Sequence, residues 1–186
     1  MSSAPAHTPA QTRVIEAALA LFGEHGISGT SLQMIADAIG VTKAAVYHQF
    51  QSKEAIVLAV AELEMRRLET ALRAAESEGR SVRAREVLLE QVIDLAIARR
   101  RAVSMLQSDP VMVRFLGQQK PFQRLMDRLF TVLLGGDTGV GPRVQAAMLT
   151  AAIGGTVVHP YVVDLDEETL RSELLRLTRR LLRLPN

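Results

Sequence analysis

The sequence predicts an all-α fold of about nine helices, and three observations lead to this prediction. The seven prolines leave residues 10–109 without the residue that most strongly breaks a helix interior. Apolar side chains recur three and four positions apart along most of the chain, which is the spacing of one helical face. No segment alternates apolar and polar residues for long enough to predict a β-strand.

The composition is typical of a globular protein with a sizeable core. The chain has 186 residues, 48% of them hydrophobic and 23% charged, which argues against disorder. Its formal net charge of +2 is too small to indicate nucleic-acid binding by itself. The absence of cysteine excludes disulfides, thiolate metal sites and a cysteine nucleophile.

The sequence also predicts where in the cell the protein is found. No apolar run approaches the roughly 18 residues that predict a membrane span, so no membrane partner is expected. Residues 1–9 carry no Lys or Arg and do not resemble a secretory signal. A soluble, cytoplasmic protein is therefore expected.

Prolines and glycines place the helix ends, because proline is tolerated in the first turn of a helix. Three dipeptides predict helix starts: Asp109-Pro110, Lys120-Pro121 and Gly141-Pro142. Pro160 predicts a helix end. The spacing of apolar residues then predicts helices over 52–78, 81–107, 110–116, 121–134, 142–159 and 166–184.

The first fifty-five residues contain two short helices separated by a glycine turn. Thr30 or Ser31 offers a hydroxyl N-cap to a helix over residues 32–40, and Thr42 caps the next helix, over residues 43–49. Such a pair forms a helix-turn-helix unit, whose second helix can enter the major groove of DNA.

Helical spacing separates two faces of that second helix. Val46 and Phe50 lie one turn apart and are expected to pack inward. Lys53 opens the following helix, where its charge and the free backbone N–H groups are suited to a phosphate. Five side chains suited to phosphate or base edges remain on the outward face: Thr42, Lys43, Ala44, Tyr47 and His48.

This region resembles the DNA-binding domain of TetR-type transcriptional regulators. The resemblance covers about residues 10–56 and rests on residues 21–26, 29–32, 35–36, 40–50 and 52–54 (LFGEHG, GTSL, IA, GVTKAAVYHQF and SKE). It implies a homodimeric repressor with nine or ten helices per subunit, whose C-terminal domain holds a small-molecule effector and builds the dimer. It also implies operator DNA as the partner and DNA contacts by Thr30, Ser31, Thr42, Lys43, Ala44, Tyr47, His48 and Lys53.

The resemblance divides the chain into three parts. Residues 1–9 are expected to be a flexible arm, residues 10–56 the helix-turn-helix domain, and residues 57–186 the effector-binding and dimerisation domain. Residues 10–56 hold three basic and four acidic side chains. We therefore expect few phosphate contacts per subunit and a need for the dimer to reach useful affinity.

Residues after 57 are less specific. Methionines spread along the apolar faces suit an irregular cavity, although ordinary core filling explains them equally well. The candidate pocket residues are Gln91, Met105, Phe115, Phe122, Met126 and Thr150. The arginines of the Arg99–Arg101 triplet fan out around a helix and are expected to be surface charge.

The last two long helices suggest self-association. Small residues on one helix permit close approach, and a leucine stripe follows on the next, although such stripes usually face their own domain. The candidate interface residues, which correspond in the family to a helix bundle across a two-fold axis, are Ala147, Ala151, Gly155, Leu170, Leu174, Leu177 and Leu181.

Sequence features required by an enzyme are missing. Gly136 and Gly141 have the outer spacing of a phosphate-binding loop, but Pro142-Arg143 replaces its Lys and Ser/Thr. The four histidines lack metal-ligand spacing, so no catalytic residue, metal or cofactor is predicted. The favoured function is a ligand-responsive repressor that is released from a palindromic operator. The alternative is a helical scaffold or interaction protein that has lost DNA binding.

Overall fold

The computed structural model describes residues 7–137 and 139–185, and these form ten α-helices and one 3-10 helix, Pro160–Val162. The all-α prediction is confirmed, with one helix more than the nine expected. The helices are α1 Pro9–Gly29, α2 Leu32–Ile39, α3 Lys43–Gln49, α4 Lys53–Glu76, α5 Val82–Ala98, α6 Arg100–Ser108, α7 Pro110–Gln118, α8 Lys120–Leu133, α9 Val140–Val157 and α10 Glu167–Leu181.

The prediction of a flexible arm covers residues 1–9, of which residues 1–6 lie outside the described residues. Thr8 and Pro9 already belong to the start of α1. The hydroxyl of Thr8 accepts from the backbone N–H of Gln11, whose side chain accepts from the N–H of Thr8. This reciprocal cap satisfies backbone donors at the helix start.

Proline marks the helix starts as predicted. Pro110, Pro121 and Pro142 all lie in the first turn of their helices. Asp109 caps α7, since its Oδ1 accepts from the backbone N–H of Val111 at 2.9 Å. At Pro160 helix α9 has already ended, and the 3-10 helix begins.

The prediction of one helix over residues 81–107 was wrong. The chain leaves helical geometry at Arg99 (φ −123°, ψ 34°), which separates α5 from α6. Arg99 pairs with Glu64 of α4, and α6 turns away to pack against α1 and α9. These tertiary contacts explain a break that the helix-forming sequence of this segment does not signal.

The buried apolar side chains of the described residues form two clusters. The N-terminal cluster joins α1–α4 to Met105 and Ala102 of α6 and to Met112 and Leu116 of α7. The C-terminal cluster joins the second half of α4 to α5, α8, α9 and α10. The helix-turn-helix therefore shares its core with α6 and α7. Along the part of the chain that the structure describes, no helix combines the length and apolarity needed to cross a membrane.

Candidate nucleic-acid interface and internal cavity

Local caps position α2 and α3. The Ser31 hydroxyl accepts from the backbone N–H of Met34 at 3.2 Å, and the Thr42 hydroxyl accepts from the N–H of Ala45 at 3.2 Å. Between the two helices Gly40 adopts the left-handed conformation (φ 69°, ψ 38°), which a residue with a Cβ adopts only at a cost. The turn between the helices is therefore encoded by residues in or next to it.

Helix α3 has the predicted orientation. Val46 and Phe50 are buried, whereas the side chain of Tyr47 is 54% exposed. The other outward residues of the prediction are exposed as well, namely Thr42, Lys43, Ala44 and His48. One face of α3 thus presents an ammonium, a phenol and an imidazole to solvent while the opposite face holds the helix on the core. DNA contact by these side chains stays a prediction.

Thr30 does not join this face. Its side chain is 2% exposed, and its hydroxyl donates to the backbone carbonyls of Gly26 at 2.8 Å and Leu21 at 3.2 Å. Ser31, which is exposed, supplies the cap of α2 instead. The prediction of a DNA contact by the Thr30 side chain was therefore wrong, because this hydroxyl is used inside the domain.

The ammonium group of Lys53 also has hydrogen-bond partners within the chain. Its Nζ donates to the backbone carbonyls of Ile27 at 2.8 Å and Thr30 at 3.0 Å. The ammonium thereby satisfies carbonyls at the end of α1, where a cation is favourable. Two of the three N–H donors of this ammonium are thus used within the chain, and a phosphate contact by the third stays a prediction.

From the sequence, Asp109 was predicted only as part of a helix start. Its Oδ2 accepts from the backbone N–H of Ile27 at 2.9 Å, across 82 residues of sequence. This contact lies beside the kink of α1 at Gly26 (φ 70°, ψ 165°). The backbone of Ile27 is thus held at its N–H by Asp109 and at its carbonyl by Lys53.

A cavity of about 180 Å³ lies among α4, α5, α6, α8 and α9. Three of the predicted pocket residues line it: Phe122, Met126 and Thr150. The other three do not line this cavity. Met105 is buried in the N-terminal cluster, Gln91 is half-buried on α5, and Phe115 faces a separate groove beside α4 and α8. Helical periodicity identifies an inward face but not which of several neighbours it meets.

One end of the cavity carries buried charge. Glu64 is 4% exposed, and its Oε1 accepts from Arg99 Nη2 at 2.8 Å and also from Arg67 Nη1. Arg99 lines the cavity, so the expectation that it is surface charge was wrong. Two nitrogens of the neighbouring Arg100, Nε and Nη2, are buried too; only Arg101 of the triplet is exposed.

An exposed face of small and apolar side chains runs along α9. Three residues of the predicted interface lie on it: Ala147, Ala151 and Gly155. Val144 and Met148, which are 54% and 55% exposed, extend the same face. Large apolar side chains left at the surface are typical of an interface.

The leucine stripe of α10 is divided. Leu177 is 52% exposed, and Leu181 is half-buried against the C-terminal cluster. Leu170 and Leu174 are 2% and 4% exposed inside the same cluster. Placing these two at a subunit interface was wrong, because they fill the core of their own subunit.

In residues 7–137 and 139–185 no three His, Asp or Glu side chains come together in a way that suits a metal ion. The exposed cap His159, for example, accepts at Nδ1 from the backbone N–H of Tyr161.

Comparison with known proteins identifies relatives. The family profile described as bacterial regulatory proteins, tetR family, matches residues 14–60. The HTH-type transcriptional repressor AcnR from Corynebacterium glutamicum is 30% identical over 147 residues, which cover 76% of this chain and 73% of AcnR. Other curated regulators match over shorter stretches, and there the chain spans 17% to 26% of their length.

Solved structures share the fold. A bacterial regulatory protein of the tetR family from Rhodococcus RHA1 superposes with a TM-score of 0.76 at 16% identity, covering 96% of this chain and all of that one. AibR in complex with isovaleryl coenzyme A and operator DNA gives 0.69 at 20% identity, covering 90% and 97%. The match of the helix-turn-helix and the similarity to AcnR over most of both chains lead to one assignment: this chain belongs to the TetR family of bacterial regulatory proteins.

Proposed function

We propose that the chain is a DNA-binding transcriptional repressor that acts as a homodimer and leaves its operator when a small effector binds. The observation that carries the proposal is the outward face of α3, on which Tyr47, Lys43 and His48 are exposed over a buried Val46. A helix that is anchored on one side and polar on the other can enter the major groove without loss of core contacts.

The DNA contacts are expected to be few. Lys43 and Tyr47 are suited to phosphates or base edges, and Ser31 and Thr42 lie at the exposed starts of α2 and α3. Lys53 directs two of its three N–H donors at the chain itself, which leaves one for a phosphate. We therefore expect weak binding by one subunit and useful affinity only from two. The complex of AibR with operator DNA supports this mode of binding.

The dimer is expected to form through α9 and α10. The exposed surface of Ala147, Ala151, Gly155, Met148 and Leu177 supports this assignment, since it offers apolar area with little side-chain bulk. Two copies of α3 would then read half-sites about 34 Å or more apart on a near-palindromic operator.

The cavity is the proposed effector site. Its wall includes Ala102, Leu116 and Phe122, which also contact or belong to the N-terminal cluster. A ligand that displaces these side chains acts on the core beneath the helix-turn-helix, and Asp109 extends the connection to α1. The effector shifts DNA binding only by its difference in affinity for the two shapes. Accordingly, residues 10–56 are proposed as the DNA-binding part and 57–186 as the effector and dimer part.

The test is electrophoretic retardation of the DNA upstream of the chain's own gene at two salt concentrations. A specific band that weakens as salt rises is expected, because DNA binding releases counterions. No specific band at either concentration would instead support the scaffold function, which the acidic balance of residues 10–56 favours.

Replacing Tyr47 sharpens this test. Tyr47→Ala is expected to weaken DNA binding by roughly 1–3 kcal/mol and leave the dimer intact. Tyr161→Ala is the matched control, since Tyr161 is 89% exposed on the 3-10 helix. Dissociation of Tyr47→Ala into monomers, measured by analytical ultracentrifugation, would contradict the assignment of this face to DNA.

A further inference from the structure

We propose that the cavity binds a small monocarboxylate, with its carboxylate on Arg99 and its apolar body among the side chains of α8 and α9. This inference rests on the proposed function, because it gives the chemical class of the effector. It follows from three features of the cavity, which are its charge, its lining and its size.

The charge at the Glu64 end of the cavity favours an anion. Two guanidinium groups, of Arg67 and Arg99, share the single carboxylate of Glu64, and both bind the same oxygen. The cluster therefore carries a net positive charge, with Glu64 almost fully buried and the side chains of Arg67 and Arg99 33% and 28% exposed. A partly buried net charge is unfavourable, and a second carboxylate would balance it.

Arg99 has unused capacity for such a ligand. A guanidinium carries five N–H donors in a planar fork that matches a carboxylate. Arg99 Nη2 donates to Glu64, whereas Nε is buried and has no hydrogen-bond partner among the described residues. A bound carboxylate could accept from the donors that Glu64 leaves free. An amine at the same place would meet two guanidinium groups, and a neutral ligand would leave the charge unbalanced.

The remaining lining is suited to hydrocarbon. It includes Phe122, Met126, Leu129, Phe130 and Ile153, and these offer no hydrogen bond. The hydroxyl of Thr150 donates to the backbone carbonyl of Ala146 at 3.0 Å, so it too has a partner. Polar recognition is thus concentrated at the Arg99 end, as expected for a ligand with one charged group.

The volume limits the size of the ligand. Cavities of about 150 Å³ bind benzene, and this one has about 180 Å³. A carboxylic acid with about six carbon atoms therefore fits. Phe122, Phe130 and Thr150 also line a wider surface groove between α8 and α9, which supplies a path of entry.

The experiment compares three ligands of equal chain length on the full chain by isothermal titration calorimetry: hexanoate, 1-hexanol and hexylamine. We expect hexanoate to bind about ten-fold or more tightly than the alcohol, because a charge-assisted hydrogen bond is added. The amine is expected to bind most weakly. Equal affinities for acid and alcohol, or tighter binding of the amine, would overturn the proposal.

Two variants move the affinity in opposite directions. Arg99→Met is expected to weaken hexanoate about ten-fold or more. Glu64→Gln removes the competing carboxylate and is expected to tighten the binding of hexanoate. Neither variant should change the affinity for 1-hexanol by a comparable factor. Arg80→Met, at an exposed arginine between α4 and α5, is the control and should leave hexanoate binding unchanged.

Circular dichroism establishes whether Arg99→Met and Glu64→Gln fold. If neither variant folds, the comparison of hexanoate, 1-hexanol and hexylamine on the unaltered chain tests the proposal. An unchanged hexanoate affinity in folded Arg99→Met would overturn the proposal. DNA retardation is run in parallel without ligand. A chain that binds its DNA but not hexanoate refutes the carboxylate and leaves the repressor standing, whereas a chain that binds hexanoate but no DNA refutes the repressor alone.

Discussion

The helix-turn-helix and the cavity differ in the distance along the chain over which their polar side chains find partners. In the helix-turn-helix, Ser31 and Thr42 bind backbone N–H groups three residues away. At the cavity, Glu64 and Arg99 are 35 residues apart. A motif whose interactions are local can be identified from a short stretch of sequence, whereas a site assembled from distant helices cannot.

Lys53 and Asp109 combine a local signal in the sequence with a long-range contact in the structure. Each lies at the start of a helix, where the local pattern is visible, yet each holds the backbone of Ile27 in α1. Because Asp109 follows α6, the helix that contributes to the cavity wall, the two regions meet at Ile27.

Glu64→Leu is expected to give the largest effect. It leaves Arg99 and Arg67 without their buried partner, which is expected to cost roughly 3 kcal/mol of unfolding free energy, the lower end of the range for buried pairs, because their side chains are 28% and 33% exposed. Glu62→Leu is the control, since Glu62 is half-buried on the same helix. Urea denaturation measures both variants, and equal losses would show that Glu64 has no special role. The double variant Glu64→Leu/Arg99→Met is expected to recover part of the loss.

Lys53→Met is expected to cost about 1.5–3 kcal/mol of stability, since two backbone carbonyls lose a charged donor. DNA binding should weaken as α1 loses its support. The salt dependence of DNA binding distinguishes this role from a phosphate contact. An unchanged slope of log affinity against log salt is expected if Lys53 only supports α1, and a slope reduced by about 1 per subunit would show that Lys53 also contacts a phosphate.

Asp109→Ala is expected to cost about 0.5–2 kcal/mol, because α7 loses its N-cap. It should also weaken the release of DNA by effector, since the contact between Asp109 and Ile27 is lost. Asp109→Ser retains a hydroxyl cap on α7 without the second carboxylate oxygen. Normal release in both variants, measured by retardation with and without effector, would show that the two regions communicate by another path.

The smallest effect concerns the N-cap of α10. Hydrogen bonds from the backbone N–H and the hydroxyl of Thr169 lower the pKa of Asp166 below its ordinary value of 3.8. A carboxyl with a lowered folded-state pKa stabilises the fold at pH above 3.8, and this contribution is lost as the pH falls through the lowered pKa.

Asp166→Ala is therefore expected to lower Tm by about 2–4 °C near pH 6. The difference from the unaltered chain should narrow at acid pH. Thermal scans by circular dichroism at several pH values measure both effects. A difference in Tm that is constant from neutral to acid pH would show that the charge of Asp166 contributes nothing.

Most of the N-terminal fold could be predicted, because its signals lie close together in the sequence. The hydroxyl caps, the turn at Gly40 and the spacing of Val46 and Phe50 each act within a few residues. The same local signals left Thr30 and Ser31 as equal candidates for the cap of α2, and the family resemblance implied that Thr30 contacts DNA. The structure buries Thr30, since two adjacent hydroxyl residues offer equal caps and only packing decides between them.

The C-terminal half was predicted in outline only. Proline positions gave the starts of α7, α8 and α9. The break at Arg99, by contrast, depends on Glu64 in another helix. Half of the predicted pocket residues lie away from the cavity, and two leucines of α10 lie in the core of their own subunit, because an inward-facing side chain can meet a cavity, a core or a second subunit with the same spacing.

The sequence by itself determined the all-α fold, the helix-turn-helix and which side of α3 faces solvent, because short-range hydrogen bonds and the helical repeat control all three. Only the tertiary structure decided that Lys53 supports α1, that Arg99 faces a cavity and that Leu170 belongs to its own core. Such roles depend on which distant groups share a buried space, and burial is a property of the folded chain as a whole.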